Sequence, residues 1–171
     1  MKPQWLARLP LKWQARLMKF GFNFHPAFRG TGGRVDYVAP DLTHIRIRLP
    51  LNWRTRNLVG SIYGGSLFAV TDGAHPTLLM AALGKDVIVW DKAASIRYRR
   101  PGRSTLYADF RISPLEVAAI RKTLARDGET DRTYTVELKD KGGHVHALVE
   151  RTVYIADKKH YKNKKAGENQ L

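Results

Sequence analysis

The sequence predicts an α+β domain in which antiparallel strands wrap around one buried helix. Three observations carry this. Residues 64–83, GGSLFAVTDGAHPTLLMAAL, are apolar nearly all round and contain no Lys, Arg or Glu, and a helix of that kind is buried on most of its sides. The segments before and after it alternate apolar and polar residues with the period of a half-buried strand. With 171 residues, 43% of them apolar, the chain has enough material for one domain with a real core.

The elements follow in order. Residues 1–30 carry Lys2, Arg8, Lys12, Arg16, Lys19 and Arg29 and no acid. Leu6, Leu9, Trp13, Leu17 and Phe20 recur at spacings of three and four, with Trp5 beside the first. This is a basic amphipathic helix interrupted at Pro10. Its apolar face is expected to cap the domain's own sheet, since Phe22, Phe24 and Phe28 follow and need covering; contact with a membrane surface is the other use of such a pattern. In HIRIRLP, Ile45, Ile47 and Leu49 alternate with Arg46 and Arg48, and Pro40-Asp41 splits residues 32–50 into two short strands. Within the apolar run, Pro76 is expected to kink the helix or end its first segment, and Gly84 to cap it.

Strands are expected at 87–90, 95–100 and 105–112, with Pro101-Gly102 as a turn. Ser113-Pro114-Leu115-Glu116 is a helix start: a capping Ser, Pro at the first position and Glu three residues after the cap. That surface helix runs to about Arg126, with Val117, Ile120 and Leu124 on one face, and Gly128 ends it. Residues 133–140 and 144–156 form a hairpin about Lys141-Gly142-Gly143. Tyr134, Val136 and Leu138 share one face of its first arm, as do Val145, Ala147 and Val149 in the second. Five lysines at 158, 159, 162, 164 and 165 make the C-terminal segment a solvated, frayed tail. The domain organisation is therefore an N-terminal helical segment (1–30), a core domain (31–157) and a flexible basic tail (158–171).

Charge and composition narrow the function. Thirty Lys+Arg against fifteen Asp+Glu give a formal charge of +15, which favours anionic partners. No helix-turn-helix, zinc or RNA-binding signature accompanies it, so nucleic acid is not expected. The absence of cysteine excludes thiolate catalysis and Cys-ligated metal, and no metal-ligand cluster is present. No apolar run reaches the roughly 18–20 residues of a membrane span, and the N-terminus lacks the apolar core of a signal peptide; the expected location is the cytoplasm.

The residues that could do chemistry lie between Asn57 and His75. Asn57-Leu58-Val59-Gly60-Ser61-Ile62-Tyr63-Gly64-Gly65 runs straight into the apolar helix. Glycines there admit close approach to first-turn amides, which have no partner inside the helix and could stabilise a developing oxyanion. Tight packing explains the glycines equally well. Asp72 is the only carboxylate in residues 58–85. Buried on such a helix it would be costly, and burial would raise its pKa toward that of a usable base; the other reading is a structural acid bonded to a nearby hydroxyl such as Thr71, or a solvent-facing one near Pro76. His75, one turn later, invites a dyad or metal reading, but two ligands are too few and the structural role is favoured.

Asn57, Gly60, Tyr63-Gly64-Gly65 and Asp72 resemble the hot-dog thioesterases of the phenylacetyl-CoA type. Their pattern is Asn, then six residues on a His-Gly-Gly, then Asp nine residues after that His. Here Tyr63 stands where the family has His. IRYRRPGRSTLYADFRI, residues 96–112, resembles the strand–Pro-Gly–strand that follows, and Trp90 to Arg97 resembles an uncharacterised hot-dog branch, a likeness that extends over about residues 20–157. The resemblance implies a homodimer, with a dimer of dimers also open, whose helices sit on one side of a continuous sheet. It implies hydrolysis of an acyl-CoA or acyl carrier protein thioester at the dimer interface, with no cofactor. Asp72 would be general base or nucleophile, the Gly65 amide would polarise the carbonyl, and Asn57 would orient water or thioester. Tyr63, Gly64 and Ser66 would line the substrate side of the same turn, and Arg97, Arg99, Arg100 and Arg103 would meet phosphates or an acidic carrier. On a straight helix, Asp72 would stand about 13 Å from the glycine turn at roughly 1.5 Å per residue, so each Asp72 would serve the other subunit's turn. The alternative is a non-catalytic acyl-CoA or lipid-binding protein.

Overall fold

A computed structural model describes residues 9–168. Helices α1 (Leu11–Phe24) and α2 (Pro26–Gly30) lead into strands β1 (Arg34–Val38) and β2 (His44–Leu49). Helices α3 (Gly64–Ala69) and α4 (Ala74–Leu83) follow, then β3 (Val87–Tyr98) and β4 (Leu106–Arg111). The chain closes with α5 (Pro114–Asp127), β5 (Glu129–Lys139), β6 (Val145–Asp157) and α6 (Lys158–Glu168). The six strands form one antiparallel sheet in the order β1-β2-β4-β5-β6-β3. Helix α4 lies on one face of it, packed on β2, β3, β4 and α5. Among the described residues no helix is long and apolar enough to cross a membrane.

Periodicity put the core where it is found. Ile45, Ile47 and Leu49 of β2 are buried, as are Val136 and Leu138 of β5 and Ala147 and Val149 of β6. Helix α5 starts as its sequence demands, with Ser113 Oγ accepting from the Glu116 amide at 3.1 Å, and ends at Gly128, whose φ is 79°. Gly84, with φ 94°, closes α4.

Five expectations are corrected. The apolar run is not one helix. It breaks at 70–73, and α4 starts from Gly73, whose φ of 75° lies in the left-handed region. Pro76 neither kinks nor ends anything: it sits in the first turn of α4, where a missing N–H is harmless. Residues 87–98 are one strand with an irregularity at Asp91/Ala93, not two. The lysine-rich tail is helical rather than frayed. Asp157 Oδ1 caps it by accepting from the amides of Lys159 at 2.8 Å and His160 at 3.2 Å, and Tyr161 packs edge-on against Trp90.

The fifth correction concerns α1. It does cover β1, but not with the expected face. Ala15 is buried and Met18 and Phe22 are half-buried against the core. Asn23 pairs with both backbone groups of Val35, and Lys19 donates to the Asp36 carbonyl. Trp13, Leu17 and Phe20, taken as the sheet-facing stripe, are exposed. Leu6 and Trp5 lie outside the described residues. The helix is apolar on two sides, and spacing cannot say which one meets the sheet.

Candidate functional site

The loop ahead of α3 is built on Asn57. Its Oδ1 accepts from the amides of Val59 at 3.1 Å and Ser61 at 3.0 Å, and its Nδ2 donates to Ser61 Oγ at 2.9 Å. The side chain expected to orient water or substrate thus spends these groups shaping residues 57–61. The loop is tied down at its far end: Tyr63 N donates to the Thr55 carbonyl at 2.7 Å and Ile62 N to the Gly102 carbonyl at 2.8 Å.

Two glycines then let the chain turn in close quarters. A Cβ on Gly64 would come within 2.9 Å of the Tyr98 hydroxyl, and one on Gly65 within 2.4 Å of the Tyr63 ring. Tyr98 also donates to the Gly64 carbonyl at 3.2 Å. A side chain at either position would have to displace a tyrosine ring. Gly65 remains exposed, Ser66 half-exposed, and Tyr63 61% exposed. Leu58, Val59 and Trp53 beside them are also largely exposed, an apolar surface around the turn.

Asp72 is not a buried acid on a helix. It stands in the break between α3 and α4 with its side chain 67% exposed. What holds it is a group the sequence reading did not single out. Arg151, on β6, is 4% exposed. Its Nε donates to Thr71 Oγ1 at 3.0 Å and its Nη2 to the Phe68 carbonyl at 3.2 Å, closing the end of α3. Its Nη1 faces Asp72 Oδ1 at 3.5 Å and Asp91 Oδ2 at 3.2 Å. Thr71 Oγ1 in turn donates to the Phe68 carbonyl at 2.8 Å. A buried guanidinium thus satisfies its donors and fixes the break.

Asp91 comes from β3, the outermost strand on this side. Burial pushes its carboxyl up to about 6, a hydrogen bond with Asp72 pushes the same way, and Arg151 pulls it down. Half-buried beside Asp72 and Arg151, Asp91 therefore keeps its proton to a higher pH than an ordinary carboxyl. Arg151 was findable. Val145, Ala147, Val149, Val153 and Ile155 share its side of β6 by alternation, and a charge in that row marks a buried cation in need of partners.

His75 is separated from Asp72. It is 3% exposed, stacked on Tyr134 at 4.3 Å and edge-on to Phe110 at 5.2 Å. Burial, with the charge of Arg151, lowers its pKa to about 4. The structural role holds, and no group of three or more His, Cys, Asp or Glu side chains among the described residues could hold a metal. Arg97, Arg99, Arg100 and Arg103 are all exposed at the end of β3 and the loop after it. Arg103 approaches Gly60 within about 4 Å of where a Cβ would stand, so this arginine adjoins the loop built on Asn57.

A family model described as a domain of unknown function, DUF4442, matches residues 14–155. No curated protein matches by sequence. Among solved structures, the chain is similar to a protein of unknown function from Pseudomonas aeruginosa described as a probable thioesterase, at 19% identity and a TM-score of 0.73, over 83% of this chain and 95% of that one. It is similar to a thioesterase from Haemophilus influenzae at 13% identity and 0.61, over 88% and 92%. It is also similar to the PaaI protein of the E. coli phenylacetic acid degradation operon at 17% and 0.58, over 86% and 94%. These likenesses show the fold: the sheet with its central helix is the hot-dog arrangement found in those proteins.

Proposed function

Starting from DUF4442, the family to which this chain belongs, we propose that the protein is a thioester hydrolase acting on an acyl-CoA or acyl carrier protein. The observation that carries the reading is Asp72. It is solvent-facing, fixed through Thr71 and Arg151, and beside the raised carboxyl of Asp91 at the open edge of the sheet. In this reading Asp72 draws a proton from water, or attacks as nucleophile, at the thioester carbonyl. The oxyanion meets the amide of Gly65 of the partner subunit, and the C–S bond breaks, the thiolate taking a proton from the protonated Asp72 or from water; where Asp72 is the nucleophile, water then cleaves the acyl anhydride to release the acid and restore the carboxylate. Tyr63, Gly64 and Ser66 line the acyl side, and the four arginines bind the phosphates of the nucleotide or an acidic carrier. Asn57 positions the turn rather than the water.

Two features support a homodimer. β3 pairs only with β6, leaving twelve residues of sheet edge without a neighbour among the described residues. The exposed apolar surface at Trp53, Leu58, Val59 and Tyr63 lies around the glycine turn. The 13 Å separation along one helix axis no longer argues for two subunits, because α3 ends at Ala69; the open edge beside Asp72 takes its place.

The test is a hydrolysis screen over short, long and aromatic acyl-CoAs. Asp72→Asn should lower turnover by at least about 100-fold while leaving the fold unchanged. Wild-type turnover in that variant would sink the proposed role of Asp72. A wild type inactive on every thioester would sink the hydrolase reading. One observation favours a second function, non-catalytic acyl-CoA or lipid binding: Tyr63 stands where the phenylacetyl-CoA-type thioesterases have His, and its ring lies within 2.4 Å of where a Cβ on Gly65 would stand, crowding the glycine whose amide would serve the carbonyl. Saturable acyl-CoA binding without turnover is its signature.

A further inference from the structure

Helix α1 carries an apolar stripe that the described residues of the domain leave exposed. Trp13, Leu17, Phe20 and Phe24 follow one another at intervals of four, three and four, so they stand in one row along the helix. All four are exposed, at 47, 40, 58 and 58%. Phe20 and Phe24 stack on each other with ring centroids 4.1 Å apart. At about 100° per residue the row lies opposite Ala15, Met18 and Phe22, the side that meets β1 and the core. The helix is therefore anchored along one line and presents bulky apolar side chains along the line facing away.

The charges beside the stripe have one sign. Lys12 and Arg16 are exposed on its flank, and the Arg16 guanidinium lies over the Trp13 ring at 4.9 Å. The first acid in the sequence is Asp36. A row of Trp, Leu and Phe bordered by cations and free of acids is the composition of a helix that lies in the headgroup boundary of an anionic bilayer. The sheet order leaves this face clear of the proposed site, because α1 packs on β1 while Asp91 belongs to β3 at the opposite edge. Dimerisation through β3 would not cover it.

We propose that α1 is an interfacial helix that docks the domain on an anionic lipid surface, with Trp13, Leu17, Phe20 and Phe24 entering the boundary and Lys12 and Arg16 meeting lipid phosphates. This does not rest on the thioesterase reading. An inactive protein can bind lipid, and an active one can fail to.

Co-sedimentation of the full chain with vesicles tests it, using phosphatidylcholine alone and phosphatidylcholine with about a third phosphatidylglycerol. The full chain should sediment with the anionic vesicles and lose binding as salt rises. The triple variant Trp13→Ser, Phe20→Ser, Phe24→Ser should bind at least about tenfold more weakly. The double variant Lys12→Glu, Arg16→Glu, which keeps the stripe and decides the matter should the first variant not fold, should lose the preference for anionic lipid. Three outcomes overturn the proposal. One is no sedimentation with either vesicle. Another is undiminished binding by a folded triple variant. The third is light scattering in which the stripe holds copies of the chain together and the triple variant separates them without any wild-type vesicle binding, which would make a second copy the occupant.

Discussion

Asp72 and His75 stand three residues apart and end in opposite environments, one 67% exposed at its side chain and one 3% exposed. The neutral His75 ring is stacked in the core with its pKa lowered to about 4. The unfolded chain takes up a proton near pH 6.5 that the folded chain refuses until about pH 4, so stability falls as pH falls through that window. Asp91, raised to about 6, acts in the opposite sense over part of the same range. Comparison with His75→Phe isolates the histidine, because the variant keeps the aromatic stack and leaves Asp91 in place. Urea unfolding at pH 7 and pH 4 should show wild type losing on the order of 2 kcal/mol more than the variant; equal losses would mean His75 accepts its proton in the folded state. The sequence marked Asp72 as a lone acid in an apolar run. It left burial and exposure both open, because the outcome depends on a glycine one residue on and an arginine 79 positions away.

At the scale of elements, the turn between α3 and α4 is the informative one. Gly73 takes φ 75° with open space where a Cβ would point. Gly73→Ala should therefore cost about 1 kcal/mol in thermal or urea unfolding through backbone conformation alone. A neutral result would mean that the left-handed turn is not what divides the helices. Local chemistry was legible wherever a short motif fixes it: the Ser113 cap, the Gly128 and Gly84 ends and the Pro40-Asp41 turn all stand where the sequence puts them. Helices whose placement depends on distant partners were not. The α6 segment looks like a solvated charge run until Asp157 caps it and Tyr161 finds Trp90. For α1, both sides are apolar, and the partner decides which one is interior.

For the whole molecule, the open edge of β3 is the surface on which the proposed dimer rests. Ala93, Ala94 and Ser95 are small and exposed along it, which suits close approach of a second strand. Replacing Ala94 and Ser95 by lysine should raise the dimer Kd by at least about tenfold in light scattering or sedimentation, since like charges then meet across the two-fold axis. A dimer unchanged by both substitutions would place the interface elsewhere. The sequence by itself determined the strand faces, the buried helix and the motif from Asn57 to Asp72, because alternation, apolar periodicity and capping are local properties of the chain. Only the tertiary structure decided that Asp72 faces solvent beside Asp91 and Arg151, and that α1 turns its row of aromatics away from the sheet. Those outcomes depend on which distant side chain supplies a hydrogen bond or a packing surface, and spacing along the chain carries no information about that.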